Sequence, residues 1–282
     1  MTKTIKMKNI SVFLILSMIL ISCDLDETQE VVTKNNLIWA DEFDQDGAPN
    51  PQNWNFEIGD GTDQGIPGWG NNELQYYTDR PENVKVENGV LVITAREESF
   101  QGSNYTSARL ITRGLFEKQY GRFEARIKVP TGKGLWPAFW MLGVPETADE
   151  EWPQIGEIDI MENVGDEPTI AFGSMHGPGY SGGESISKEF ELDSDRFDTG
   201  FHIFGIEWSP NRINYYIDDK LYQSLTPEDV DEETDGEGVW VFNDRPFYII
   251  LNVAVGGNLP GNPNAETVFP QSMVVDYVRV YE

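Results

Sequence analysis

Short apolar runs recur along the chain, polar residues alternating within them and turn residues closing them. They include GVLVITA (89–95), ARLITR (108–113), GRFEARIKV (121–129), TIAFGSMH (169–176), FHIFGIEW (201–208), RINYYID (212–218), PFYIILNVAV (246–255) and MVVDYVRVY (273–281). Period-two alternation marks strands, and the three-to-four spacing of an amphipathic helix is nearly absent. Strands and turns at this density predict an all-β sandwich or jelly roll. RINYYID illustrates the expectation: Ile213, Tyr215 and Ile217 fall on a packed face, while Asn214, Tyr216 and Asp218 fall on an available one. The acidic run 228–237 predicts a solvated loop.

The first residues follow another pattern. Lys3, Lys6 and Lys8 precede an apolar stretch over 12–21 that Ser17 interrupts. That stretch falls short of the roughly 20 apolar residues a spanning helix needs, so residues 1–22 are expected to be an export signal. Cys23, the only cysteine, follows Leu20-Ile21-Ser22 in a context resembling a bacterial lipobox, which points to acylation. One cysteine builds no disulfide framework. Residues 24–36 are polar and aperiodic, as a tether would be, and 37–282 are expected to form one domain.

The formal charge of −28 becomes more negative once the leader lysines are removed. Such a field repels nucleic acid and sulfated polysaccharides but leaves a neutral polymer unaffected. The expectation is an exported, monomeric lipoprotein of the outer membrane or cell surface, touching the membrane only through its anchor.

Glu157-Ile158-Asp159-Ile160-Met161-Glu162 places three acids within six residues of a strand. Strict alternation puts Glu157 and Asp159 on one face and sends Glu162 to the other, with Ile158 and Ile160. A carboxylate without a partner between two sheets is costly. A β-bulge at Ile160-Met161 would shift the register and return Glu162 to the face of Glu157. Two carboxyl groups facing one sugar are what glycoside hydrolysis requires, and like charges crowded together raise the pKa of the less stabilised group. Spacing alone leaves open whether such a pair retains or inverts configuration.

The stretch GEIDIMENVG (156–165) closely resembles the active-site signature of glycoside hydrolase family 16, in the six-residue ExDxxE form of laminarinases. WADEF (39–43), WGNNELQYYT (69–78), GRFEARIK (121–128), GLWPAFWML (134–142), EWSPNRINYYIDD (207–219), LNVAVGGNLPG (251–261) and VDYVRVY (275–281) also look like family segments in family order. The resemblance implies a concanavalin-like jelly-roll β-sandwich of two antiparallel sheets with a concave glycan-binding cleft. It also implies a retaining mechanism, with Glu157 as nucleophile, Glu162 as acid/base and Asp159 as helper. No cofactor is expected for catalysis. A structural calcium is implied at Glu42, the carbonyl of Gly89 and Asp276, a hard oxygen set of the kind calcium takes.

Around the acids, Trp136 and Trp140 lie four residues apart, on one face of an unbroken strand, where flat indoles stack on pyranose rings. Asn72, in a Gly-rich loop, offers an amide to sugar hydroxyls. Arg109, His176 and Asn252 are expected to line the cleft and bind the substrate, with neutralisation of Glu157 or Asp159 as the other reading of Arg109. The substrate expected is an internal β-1,3-glucan linkage. Mixed-linkage β-1,3/1,4-glucan, another algal polysaccharide, or glycan binding without catalysis are the alternatives.

Overall fold

The alternating runs build two sheets in the computed structural model, which describes residues 36–147 and 149–282. The expected export signal, Cys23 and residues 24–35 of the tether lie outside the described residues. Among the described residues no helix is long and apolar enough to cross a membrane.

The seven-stranded sheet runs, in spatial order, Ile186–Glu191, Ile170–His176, Glu157–Glu162, Leu135–Gly143, Phe247–Val255, Arg109–Ile111 and Asn55–Phe56. The second sheet runs Lys220–Leu225, Arg212–Ile217, His202–Ser209, Gly121–Lys128, Gln271–Tyr281, Val90–Phe100, Ser103–Ser107 and Gln75–Tyr77. Leu37–Asp41 and Val84–Glu87 flank it. This is the two-sheet jelly roll expected, with one departure: Gln75–Tyr77 pairs in parallel with Ser103–Ser107.

Side chains pointing between the sheets form one apolar core, including Leu91, Ile93, Phe123, Ile127, Phe139, Met141, Ile249, Leu251 and Val253. Each such burial contributes about 1.5–3 kcal/mol against exposure. Phe247–Val255 is buried along its whole length. Its outward face carries Tyr248 and Ile250, which pack with Ile111, Trp140, Leu142 and Val144 into a second small cluster. The outer face of this sheet is therefore partly apolar beside the acids.

Two expectations change. The acidic run is not all loop: Pro227–Glu233 is a helix whose N-terminus is held by a capping box between Thr226 and Asp229. Local capping replaces the apolar periodicity that the run lacks. In the 212–217 strand, Ile213, Tyr215 and Ile217 enter the core as expected, but Asn214 and Tyr216 are buried as well. The Tyr216 hydroxyl donates to Glu207 Oε2 at 2.8 Å, so that face is covered by polar contacts.

Candidate active site

The carboxylate strand contains the bulge. Glu157 pairs with Leu142 and Asp159 with Trp140, but the register then slips, so that Met161 faces Phe139 and Glu162 faces Ala138. Ile160 and Met161, consecutive in sequence, both enter the core. Two successive inward residues return Glu162 to the side of Glu157 and Asp159. Both glutamates are half-buried, and Asp159 is 3% exposed.

On the neighbouring strand His176 lies directly opposite Glu157. Its Nε2 is 3.0 Å from Asp159 Oδ2 and 3.8 Å from Glu157 Oε1. The backbone N–H of Gly182 donates to its Nδ1 at 3.1 Å, so Nδ1 carries no proton and Nε2 does. Burial works against a charge on this ring, but Glu157, Asp159 and Glu162 outweigh it and lift its pKa to about 10. Geometry and field thus pull in opposite directions: the Gly182 amide fixes the neutral tautomer, and charging the ring requires that amide to turn away. Glu157, Asp159 and His176 bring one ligand atom each within 4.8 Å of one another. With its proton on Nε2 and Nδ1 occupied, His176 does not fit a metal-ligand role in this arrangement.

Burial pushes the Asp159 carboxyl well above the usual range; Glu157 and Glu162 add to the rise and His176 opposes it. Burial also raises Glu162, against the pull of His176. Trp136 Nε1 donates to Glu162 Oε1 at 2.9 Å, and the Ser174 hydroxyl lies 3.4 Å from Oε2.

Trp136 and Trp140 share the outer face, because Leu135, Phe139 and Met141 of their strand take the inner one. Pro137 does not break the alternation. Gly257, at φ +111°, lets its loop press against the Trp136 ring, where an added Cβ would meet the indole at 3.2 Å. Trp140 Nε1 donates to Asn252 Oδ1 at 2.7 Å. Asn252 is buried, and its other amide group donates to the Tyr77 hydroxyl at 3.1 Å. Asn72 is exposed, has φ +57° and donates to Asn258 Oδ1 at 2.8 Å.

Arg109 departs from expectation. Its ion-pair partner is Glu57, at 2.6 Å, rather than Glu157 or Asp159. Burial disfavours its charge, but Glu57, Tyr77 and Glu73 raise its pKa overall. The guanidinium lies 4.5 Å from the Trp69 ring centre and 4.8 Å from that of Trp140. It occupies the space between two indoles because Arg109 stands on the strand next to Asn252.

The carboxylates expected to hold calcium each meet an arginine. Glu42 accepts from Arg279 through both oxygens, at 2.8 and 2.9 Å, and Asp276 Oδ2 accepts from Arg126 at 2.6 Å. In this arrangement the charges of both carboxylates are met by guanidinium groups. Gly89 keeps its place as a turn glycine, with φ +76°.

Sequence reasoning passed over Glu57, Glu73, Tyr77, Ser174 and Trp152. Trp152 is 44% exposed, and its ring centre lies 6.0 Å from that of His176. The pattern WPxxGE, an exposed aromatic just ahead of the acids, was the available signal.

Comparison with known proteins gives one consistent picture. Residues 71–279 match the family described as glycosyl hydrolases family 16. A beta-glucanase of Rhodothermus marinus is 42% identical over 269 residues, covering 93% of this chain and 91% of that protein. The laminarinase catalytic domain of Thermotoga maritima superimposes with a TM-score of 0.81 at 51% identity, covering 87% of this chain and 97% of its own. The endo-β-1,3-glucanase of Pyrococcus furiosus gives the same TM-score and identity, covering 87% and 94%. A bulged strand that gathers three acids, flanked by paired indoles on a two-sheet jelly roll, thus accompanies similarity along most of the chain, and the protein belongs to glycoside hydrolase family 16.

Proposed function

We propose that this protein is a retaining endo-β-1,3-glucanase acting on laminarin-like glucans. The observation that carries the reading is the bulge after Asp159, which sets Glu157 and Glu162 on one face beside two half-exposed indoles. Similarity to laminarinases and endo-β-1,3-glucanases supports the linkage.

In this reading, an ionised Glu157 oxygen attacks the anomeric carbon as Glu162 delivers its proton to the departing glycosidic oxygen. The carbon–oxygen bond to the leaving sugar breaks and a glycosyl ester on Glu157 forms. Glu162, now a carboxylate, takes a proton from water; the water oxygen bonds the same carbon, and the ester opens with net retention. Trp136 donates to Glu162 Oε1 at 2.9 Å and the Ser174 hydroxyl reaches Oε2 only at 3.4 Å, so the more loosely held Oε2 is the oxygen to carry the transferable proton. A raised Glu162 pKa keeps that proton in place closer to neutrality. Asp159, contacted by His176 Nε2, stands between the two and holds their electrostatic balance.

Release of reducing ends from laminarin tests the proposal. Steady release, abolished in Glu157→Ala and Glu162→Ala, is the expected result. Laminarin binding without release by the intact wild type would establish a binding protein instead.

A further inference from the structure

Behind Trp140 a chain of hydrogen bonds runs in one direction. An indole N–H only donates, so Trp140 fixes Asn252 with its oxygen toward the ring, at 2.7 Å. The Asn252 Nδ2 must then face Tyr77, to which it donates at 3.1 Å. Having accepted that bond, the Tyr77 hydroxyl donates onward to Glu73 Oε2 at 3.2 Å. Gln75 Nε2 donates to the same oxygen at 2.6 Å, while Gln75 Oε1 receives the Val255 N–H at 2.7 Å. Every link needs an acceptor after it, and the chain ends on a carboxylate. Tyr77, Asn252 and Gln75 are all buried, so these bonds form away from competing water.

The same carboxylate acts on the guanidinium behind the indole. Arg109 lies 4.8 Å from the Trp140 ring centre, with Glu57 and Glu73 supporting its charge. The edge of Trp140 is thus fixed by the hydrogen-bonded chain and one of its faces by a cation.

We propose that Glu73 is a positioning residue: acting through Tyr77 and Asn252, it sets the orientation of Trp140 as the platform for a neutral glucosyl ring. The inference rests on the glucanase reading above and deepens it. In this arrangement Asn252 serves the platform, since both ends of its amide are engaged within the protein. Trp140 is paired across the strands with Asp159, so the ring stands beside the acids, and a tilt weakens its stacking on the sugar in ground and transition state alike.

A double-mutant cycle tests this. Tyr77→Phe keeps the ring and removes only the hydroxyl, and with it both the bond accepted from Asn252 and the bond donated to Glu73; it is expected to raise the KM for laminarin about tenfold, with kcat within about twofold. Glu73→Leu should behave alike, and Glu73→Gln, which retains an acceptor, should recover most of the loss. In a Trp140→Phe background, which has no indole N–H, Tyr77→Phe should change KM by less than about twofold. Effects that instead multiply fully in the double mutant overturn the proposal. Acrylamide quenching without sugar gives a readout independent of substrate: Tyr77→Phe should alter tryptophan quenching in the wild-type background and not in Trp140→Phe. Equal alteration in both backgrounds also overturns it. A wild type that fails to hydrolyse laminarin while this quenching pattern holds would count against the glucanase reading alone.

Discussion

The outer faces of the two sheets both carry buried acids, and they treat them differently. On the larger sheet the buried Glu124 and the more exposed Asp219 and Glu42 meet guanidinium groups. Arg122 Nε lies 2.8 Å from Glu124 Oε2 and its Nη2 lies 2.7 Å from Asp219, with the Arg122 and Glu124 side chains 3% and 0% exposed. Arg279 clasps Glu42, a contact that raises the arginine further above its ordinary pKa. On the seven-stranded sheet Glu157, Asp159 and Glu162 meet one another, a histidine, an indole N–H and a hydroxyl. Burial therefore lifts Asp159 and Glu162. Acids matched by arginine tie strands together. Among the crowded acids, burial favours the protonated form of Asp159 and of Glu162, at some cost to the fold.

That contrast can be tested by removing one acid at a time. The largest effect is expected from Glu162→Ala, which should slow laminarin hydrolysis by on the order of 10³–10⁴ with the fold retained, since the general acid/base is lost. Glu124→Leu should reverse the pattern. Breaking a buried pair costs about 3–5 kcal/mol, seen as a fall in the unfolding midpoint, while kcat per folded molecule holds.

Asp159→Asn comes next and works in the opposite sense on stability. The folded-state pKa of Asp159 is raised, so its contribution favours the fold below the unfolded pKa of about 3.9 and is lost as pH rises through the folded value. The variant should unfold at a higher temperature than wild type at pH 7, with the gap closing by about pH 4, and its activity should fall less than that of Glu162→Ala. Equal midpoints at pH 7 would show that the trio carries no such strain. The smallest effect is expected at Arg196, whose exposed guanidinium pairs with Asp198; Arg196→Ala should shift the midpoint little and leave activity unchanged.

The strand pattern was legible because apolar alternation is a local property. Six of the runs read from sequence correspond to single strands of similar extent, such as Gly121–Lys128 and Phe247–Val255, while Arg109–Ile111 takes only half of its run and Val90–Phe100 continues five residues past its predicted end. The bulge was legible too, from the cost of burying Glu162 between sheets. What stayed hidden depends on contacts distant in sequence. Arg109 reads as a partner for the nearest acids in function, but the fold hands it to Glu57 and to the space between Trp69 and Trp140. Nothing local announces that Glu73, Tyr77 and Asn252 join, since Asn252 lies 175 residues from Tyr77. The helix Pro227–Glu233 was missed for the opposite reason: its signal is the Thr226–Asp229 cap, short and surrounded by acids that suggest solvent.

The central claim is that Glu157 attacks while Glu162, brought round by the bulge, moves the proton. Mass spectrometry of peptides from protein treated with an activated 2-deoxy-2-fluoro laminaribioside examines it at the bond itself. The sugar is predicted to be found esterified to Glu157. A label on Glu162, or turnover of laminarin that gives the inverted anomer and no labelled peptide, would contradict it.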